Sequence, residues 1–343
     1  MKFLIVGLGS MGKRRLRNLQ YLKAGEIVGY DPREDRRAEA SDKYGIITFS
    51  NFEQALNTGP DALIISTPPD RHCDYALVAA KNDKHFFTEA SVVDDGMDDL
   101  IAVCRGKSIV AAPSCTMRFH PSVRLIRDLI QDRAIGPILT YTYHCGQYLP
   151  DWHPWEDYRS YYVAKRQTGG CREIVPFELS WLVWAVGEVE AVSCFKGKLT
   201  SLEIDIDDVY QILLRHRQGT LGHLLVDVVA RVPYRVGRFL GERGVIEWNW
   251  TDHRVRVFDA SSGRWTEYEE PKGTVEEGYI AAEDMYRDEM RAFVAAIRGE
   301  QPWGYTLTED KNILSLLQTA ERSSDRALHL DFAEVGAATV ERN

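Results

Sequence analysis

The sequence predicts an α/β protein in two parts, a doubly wound parallel sheet followed by a second domain built on β-hairpins. Three observations predict it: a glycine turn joining an apolar strand to a helix at the N-terminus, a strand and helix alternation that runs to Ala112, and paired long strands after Val209.

The run Lys2-Phe3-Leu4-Ile5-Val6 is short and apolar, as a buried strand requires, and Lys13 to Leu19 continues as a helix. Between them stands Gly7-Leu8-Gly9-Ser10-Met11-Gly12. Gly7 permits the tight turn, Gly9 lets the backbone approach a pyrophosphate, and Gly12 allows close packing of helix on strand. Ser10 and Met11 open the helix, whose N-terminal N–H groups and dipole favour an anion. A second strand, Glu26 to Tyr30, ends at Asp31, about 20 residues after the turn, where a carboxylate accepts hydrogen bonds from an adenosine ribose. This constellation predicts a dinucleotide cofactor. Asp31 disfavours a 2′-phosphate and points to NAD, while Arg33, Arg36 and Arg37 just beyond it can clamp a phosphate and leave NADP open.

Alternation continues through the strand 62–66, the helix 71–82, the strand 85–88, the helix 95–104 and the strand 108–112. The expected boundary lies at residue 120, giving an NAD(P)-binding domain over 1–120 and a substrate-binding and oligomerisation domain over 121–343. In the latter a helix over 122–133 precedes the strands 209–217 and 220–230, joined through Gln218-Gly219, and the strands 238–240 and 245–250. Helices over 282–298 and 308–326 close the chain, the second with Thr308-Glu309-Asp310 as cap and first-turn acids.

The 343 residues suffice for two cores, and 44% hydrophobic content is ordinary for a globular chain. A net charge of −9 argues against general nucleic-acid binding. The six cysteines, Cys73, Cys104, Cys115, Cys145, Cys171 and Cys194, show no metal-ligand spacing and are expected as free thiols. A strand starting at residue 2 leaves no room for a signal peptide, and no apolar run approaches a bilayer span. The expected setting is the cytoplasm, without nucleic-acid or membrane partners.

Several motifs together resemble the Gfo/Idh/MocA oxidoreductases, the glucose–fructose oxidoreductase and inositol dehydrogenase family. They are Ile65-Ser66-Thr67-Pro68-Pro69-Asp70-Arg71-His72, then Lys84 to Ala90, then Arg118-Phe119-His120-Pro121 with Ala134-Ile135-Gly136-Pro137, and finally Trp184-Ala185-Val186-Gly187. The resemblance covers nearly the whole chain. It implies an N-terminal Rossmann domain and an α/β domain with an open, largely antiparallel sheet, one side facing substrate and the other often a second subunit, so a homo-oligomer is expected. It also implies hydride transfer between NAD(P) and a sugar, cyclitol or nucleotide sugar. In the resemblance Thr67, Pro68 and His72 line the cofactor site and Glu89 lies near the nicotinamide ribose.

The chain departs from that pattern where the chemistry is done. The family's Glu-Lys-Pro reads Glu89-Ala90-Ser91 here, and a methyl group can neither donate a hydrogen bond nor shift a pKa by charge. The family's Asp, followed four residues later by His, meets Gly169-Gly170-Cys171-Arg172-Glu173-Ile174-Val175-Pro176-Phe177-Glu178. Anchoring on Trp184 and Gly187 aligns Glu173 and Phe177 with that pair, and anchoring on the glycines puts Glu178 at the His position. A replacement proton carrier is expected from the aromatic and charged segment 148–178, with His153, Lys165, Glu173 and Glu178 as leading candidates and Tyr161 a weaker one. Arg159, Lys165, Arg166 and Arg172 offer to hold a carboxylate or phosphate, and His144 is expected to be structural. The alternatives are a cofactor-binding sensor without dehydrogenase activity, and an enzyme that keeps NAD bound and catalyses elimination, epimerisation or glycoside cleavage.

Overall fold

The computed structural model describes residues 1–153, 156–276 and 282–332. Contacts divide the chain into two compact units, Met1–Phe119 with Thr274–Lys311, and His120–Gly273 with the segment from Asn312 onward. The expected division assigned all of 121–343 to one domain, of which 333–343 lie outside the described residues. The segment from Thr274 instead groups with the first unit, because Met290, Phe293 and Val294 pack into the same core as Phe3, Ile5, Leu16 and Leu19. An amphipathic helix read without its partner does not reveal which core it covers.

The first unit is built on β1 (Lys2–Val6), α1 (Ser10–Tyr21), β2 (Glu26–Tyr30), α2 (Glu34–Tyr44), β3 (Ile47–Phe49), α3 (Phe52–Leu56), β4 (Ala62–Ile65), α4 (His72–Lys81), β5 (His85–Thr88), α5 (Met97–Cys104) and β6 (Ala111–Pro113). The strands form a parallel sheet in the order β3-β2-β1-β4-β5-β6. Order reverses at β1, as in a doubly wound sheet. Phe3 to Val6 and Ala62 to Ile65 are fully buried, which explains their unbroken apolar runs.

The second unit contains α6 (Pro121–Gln131), β7 (Ile138–Tyr148), α7 (Cys171–Val186), β8 (Val189–Gly197), β9 (Val209–His216), β10 (Leu221–Asp227), β11 (Val229–Gly241), β12 (Gly244–Asn249), β13 (Arg254–Asp259) and β14 (Arg264–Glu269). Two helices follow β14 in the chain, α8 (Asp284–Ile297) in the first unit and α9 (Leu307–Arg326), which carries the chain into the second, where β15 (Leu330–Asp331) joins the sheet edge. The sheet order is β14-β13-β12-β11-β7-β10-β9-β8-β15. Pairing is antiparallel except between β7 and β10. The expected strand 220–230 is two strands, broken where Asp227 Oδ1 accepts from the backbone N–H groups of Val229 (3.0 Å) and Ala230 (2.8 Å). Tyr141, Tyr143, Tyr210, Ile212 and Leu214 are buried, whereas Leu213, Leu221 and Phe195 are exposed, so the sheet has one covered and one open face. Among the described residues no helix is long and apolar enough to cross a membrane.

One buried cation organises the first unit. Arg15 of α1 is fully buried; it donates through Nε to Glu89 Oε1 and through Nη2 to Glu89 Oε2, both at 2.8 Å, and pairs through Nη1 with Glu289 Oε2 at 2.8 Å. Glu289 of α8 also accepts from Ser114 Oγ, the Cys115 N–H and Thr116 Oγ1. Burial opposes the charge on Arg15, and the two acids more than offset it, holding its pKa above the ordinary arginine value. Arg15→Met removes the shared cation from two buried carboxylates. It is expected to cost about 3–5 kcal/mol, read as a lower urea midpoint in equilibrium unfolding; an unchanged midpoint contradicts the role given to this network.

Candidate active site

The glycine turn is shaped by contact. Gly7 has φ +93°, and a Cβ there would stand 2.6 Å from the Ser66 carbonyl oxygen; a Cβ on Gly12 would lie 1.8 Å from the Gly7 carbonyl oxygen. Both positions exclude a side chain. Gly9 is the N-cap of α1 and provides no side-chain acceptor, and no acid occupies the first turn that Ser10 and Met11 begin. An anion therefore meets a helix N-terminus with no competing negative charge. Asp31 closes this turn, Oδ2 accepting from the Leu8 N–H and Oδ1 from the Arg33 N–H, each at 2.8 Å. The arginines beyond it are engaged: Arg33 with Asp35, Arg37 with the carbonyls of Asp31 and Pro32, and Arg36 at 3.8 Å from Asp31 Oδ2.

At the end of β4, Thr67 carries a buried Oγ1 with no protein partner, and Pro68 is exposed. His72 does not open to solvent as a ligand would. It is buried, with Nε2 at 2.9 Å from the Thr67 carbonyl, and burial holds its pKa below the usual imidazole value, so the neutral ring donates to that carbonyl. Its place is behind Thr67. Glu89 is likewise held from behind, by Arg15 and by Ser66 Oγ at 2.9 Å. Asp310, expected only as a first-turn acid of the last helix, is a buried acid of α9 bonded to Tyr305 (3.0 Å) and to Ser91, next to Ala90; burial raises its pKa to about 6.

In the second unit the start of α7 is fixed by Gly169 and Gly170. A Cβ on Gly169 would fall 2.1 Å from the Val163 carbonyl oxygen, and one on Gly170, at φ +58°, 2.3 Å from Ile206 Cδ1. Only glycine lets the short turn Tyr162–Ala164 press against the helix start. Thr168 Oγ1 donates to the Tyr162 carbonyl at 2.9 Å, and Tyr162 then donates through its hydroxyl to Glu173 Oε1 at 2.9 Å. Glu173 Oε2 is buried without a protein partner although the residue keeps some exposure. Burial raises the Glu173 pKa to about 7, against the Tyr162 hydrogen bond, which lowers it. His153 stacks on Tyr161 with ring centroids 5.2 Å apart, and Tyr161 packs edge-on to Tyr162 at 5.7 Å. Burial first, then Glu173 and Glu156, pushes the Tyr161 hydroxyl pKa up.

The structure therefore brings His153, Tyr161 and Glu173 into one cluster and sets Glu178 apart from it. Glu178 is fully buried, accepting from Tyr143 (2.8 Å), Trp181 (2.8 Å) and Arg235 (2.9 Å). It is a core carboxylate, because five residues along α7, about 140° round the helix from Glu173, the side chain turns toward the sheet. Lys165 is exposed. Phe177 shares the Glu173 face of α7 at i+4, so the aligned pair is a carboxylate and an inert ring. His144, expected to be structural, stands at 2.6 Å from Asp227 and 2.7 Å from Tyr234. It borders a groove of about 500 Å³ on the open face, with His223, Arg238 and Glu247, that contains none of the expected site residues. Pro154 and Trp155 of the aromatic segment lie outside the described residues.

Comparison with known proteins meets the geometry here. Residues 1–104 match the family model described as the oxidoreductase family, NAD-binding Rossmann fold, and residues 123–247 match the GFO/IDH/MocA C-terminal domain. The chain belongs to the Gfo/Idh/MocA oxidoreductase family. Its two family models together span about two thirds of the chain, and its first domain is an NAD-binding Rossmann fold. Within the family the chain is 23% identical to myo-inositol 2-dehydrogenase of Thermotoga maritima, over 98% of this chain and 99% of that protein. It is 26% identical to 2,7-anhydro-N-acetylneuraminate hydratase of Escherichia coli, over 57% of this chain and 52% of that protein, so that match spans about half the relative. The fold is shared with a levoglucosan dehydrogenase solved with NADH and levoglucosan, with TM-score 0.85 at 18% identity over 98% of this chain and 100% of that one.

Proposed function

We propose that this protein oxidises or reduces a hydroxyl-bearing carbon of a sugar or cyclitol with NAD, and that Glu173 moves the hydroxyl proton. The observation that carries the proposal is the buried Glu173 carboxylate, with one oxygen oriented by Tyr162, the other unpartnered, and a pKa near the working range. A carboxylate tuned in this way serves as base for alcohol oxidation and, protonated, as acid for carbonyl reduction. It takes over the task that Ala90 and Phe177 cannot perform. His153, stacked on Tyr161, lies beside this route and offers a relay to solvent.

The turn Gly7, Gly9 and Gly12, with the N–H groups of Ser10 and Met11, would hold the pyrophosphate of NAD, and Asp31 the adenosine ribose. Thr67 and Pro68 would line the nicotinamide end, with His72 and the Arg15-bound Glu89 fixing their surroundings. When bound, NAD supplies the hydride acceptor or donor. Asp31 repels a 2′-phosphate, and each neighbouring arginine is already engaged by a carboxylate or carbonyl, which supports NAD over NADP.

A second reading keeps NAD bound through turnover and couples transient oxidation to elimination. A relative named as a hydratase favours it, and release of free NADH during turnover separates the two readings. The open sheet face exposes Phe195 (76%), Leu213 (55%) and Leu221 (56%), which supports a homo-oligomer formed through that face. The expected light-scattering mass is a multiple of 39.1 kDa; a strict monomer removes this assignment.

Two substitutions test the site. In the oxidation direction kcat/KM should rise with pH through about 7 as Glu173 ionises, and Glu173→Gln should abolish that rise and lower kcat by roughly 10²–10⁴-fold. A variant that keeps the wild-type rate and profile rules Glu173 out. Asp31→Ser should weaken NADH by about tenfold and narrow its advantage over NADPH, read by nucleotide fluorescence; an unchanged ratio removes Asp31 from cofactor selection.

A further inference from the structure

The arginines of the 148–178 segment do not stand ready for an anion. Arg159 makes hydrogen bonds to both oxygens of Asp157 and an ion pair with Glu203. Arg166 pairs with Asp205 at 2.5 Å and with Asp207 at 3.1 Å. Arg172 pairs with Glu321 at 2.6 Å and donates to the Gln167 carbonyl at 2.5 Å. Acids from the loop 203–207 and from α9 thus neutralise the arginines that the sequence offered as a carboxylate or phosphate clamp.

What the same segment leaves without protein partners is of another kind. Glu173 Oε2, the Tyr161 hydroxyl and the Trp152 indole N–H are all buried and unpartnered. Leaving such a group unsatisfied costs about 1–3 kcal/mol; of the three, Glu173 Oε2 and the Tyr161 hydroxyl are near enough for the Glu173 charge to act on the phenol, and together they mark a place completed by something bound. Their chemistry is mixed: the Glu173 carboxyl accepts when ionised and donates when protonated, and the phenol does either. Hydroxyl groups, which both donate and accept, satisfy such a set. A carboxylate or a fully ionised phosphate cannot donate to ionised Glu173 and would face its charge with Glu156 close by. The stacked rings of His153 and Tyr161 add an aromatic wall suited to the apolar face of a ring.

We propose that Tyr161, acting with Glu173, is a specificity-determining residue that selects a neutral polyhydroxylated substrate and rejects phosphorylated or carboxylated ones. The assignment rests on the placement of substrate at Glu173 proposed above. It narrows the family range toward compounds of the kind named for the myo-inositol and levoglucosan relatives.

The test is equilibrium calorimetry on NADH-saturated protein, with myo-inositol and levoglucosan as neutral probes and glucuronate and glucose 6-phosphate as anionic ones. Wild type should bind at least one neutral probe ten times or more tighter than either anion. Tyr161→Phe should weaken that neutral probe by about tenfold while NADH affinity stays unchanged, since one hydrogen bond to a buried hydroxyl is lost. Glu173→Gln should narrow the preference against anions. An anion that binds as tightly as the neutral probes, a wild-type protein that binds no neutral probe, or Tyr161→Phe with full affinity overturns the proposal. Should Tyr161→Phe misfold, the wild-type selectivity and the Glu173→Gln arm decide alone. Because binding is read without turnover, a neutral preference alongside an active Glu173→Gln enzyme sinks only the proton role, and an anion preference alongside an inactive one sinks only the selectivity.

Discussion

Burial of charge is the constraint on which this protein is built, and Arg15 is its clearest expression. A guanidinium with no solvent exposure persists because Glu89 and Glu289 meet it from a strand end and from α8. Through that contact the helix that carries the glycine turn, the segment after β5 and the returning helix are one cooperative polar core. Asp31 adds a second tie by bonding the backbone of the turn itself. The phosphate-binding geometry of the first unit is therefore a consequence of satisfied polar groups behind it, as much as of the glycines in front.

The same criterion sorts the carboxylates of the second unit. Glu178, with three donors and no exposure, has its hydrogen-bonding capacity spent on the fold. Glu173, five residues earlier on α7, has one oxygen held by Tyr162 and the other open. Completeness makes the first structural, and incompleteness together with a raised pKa makes the second fit for proton transfer. On the proposal that Glu173 moves the proton, the absence of a lysine at Ala90 and of a histidine at Phe177 is a relocation of proton handling onto a single desolvated carboxylate.

Much of this was legible in the sequence because it is local. The glycine turn, Asp31 beyond it, the strand and helix alternation and the glycine pair before Glu173 are each encoded within a few residues of their effect. The long-range matches were not. Nothing near Arg15 announces Glu89 or Glu289, so its burial cannot be read from α1 alone. The face to which Tyr210, Ile212 and Leu214 turn also stayed hidden, since a period of two fixes that residues share a side without fixing which side is covered. They face the covered side, and Leu221 lies on the open one. The return of α8 to the first core and the parallel pairing of β7 with β10 are likewise properties of topology that no short window contains.

The state of the Glu173 carboxyl can be observed directly. Protein labelled with 13C at the glutamate side-chain carboxyl, with the Glu173 resonance assigned by its disappearance in Glu173→Gln, gives its titration by NMR. A midpoint near 7 is expected. A midpoint at the ordinary value of 4.5 would mean that the carboxylate is solvated and untuned, and would contradict the assignment of proton transfer to Glu173.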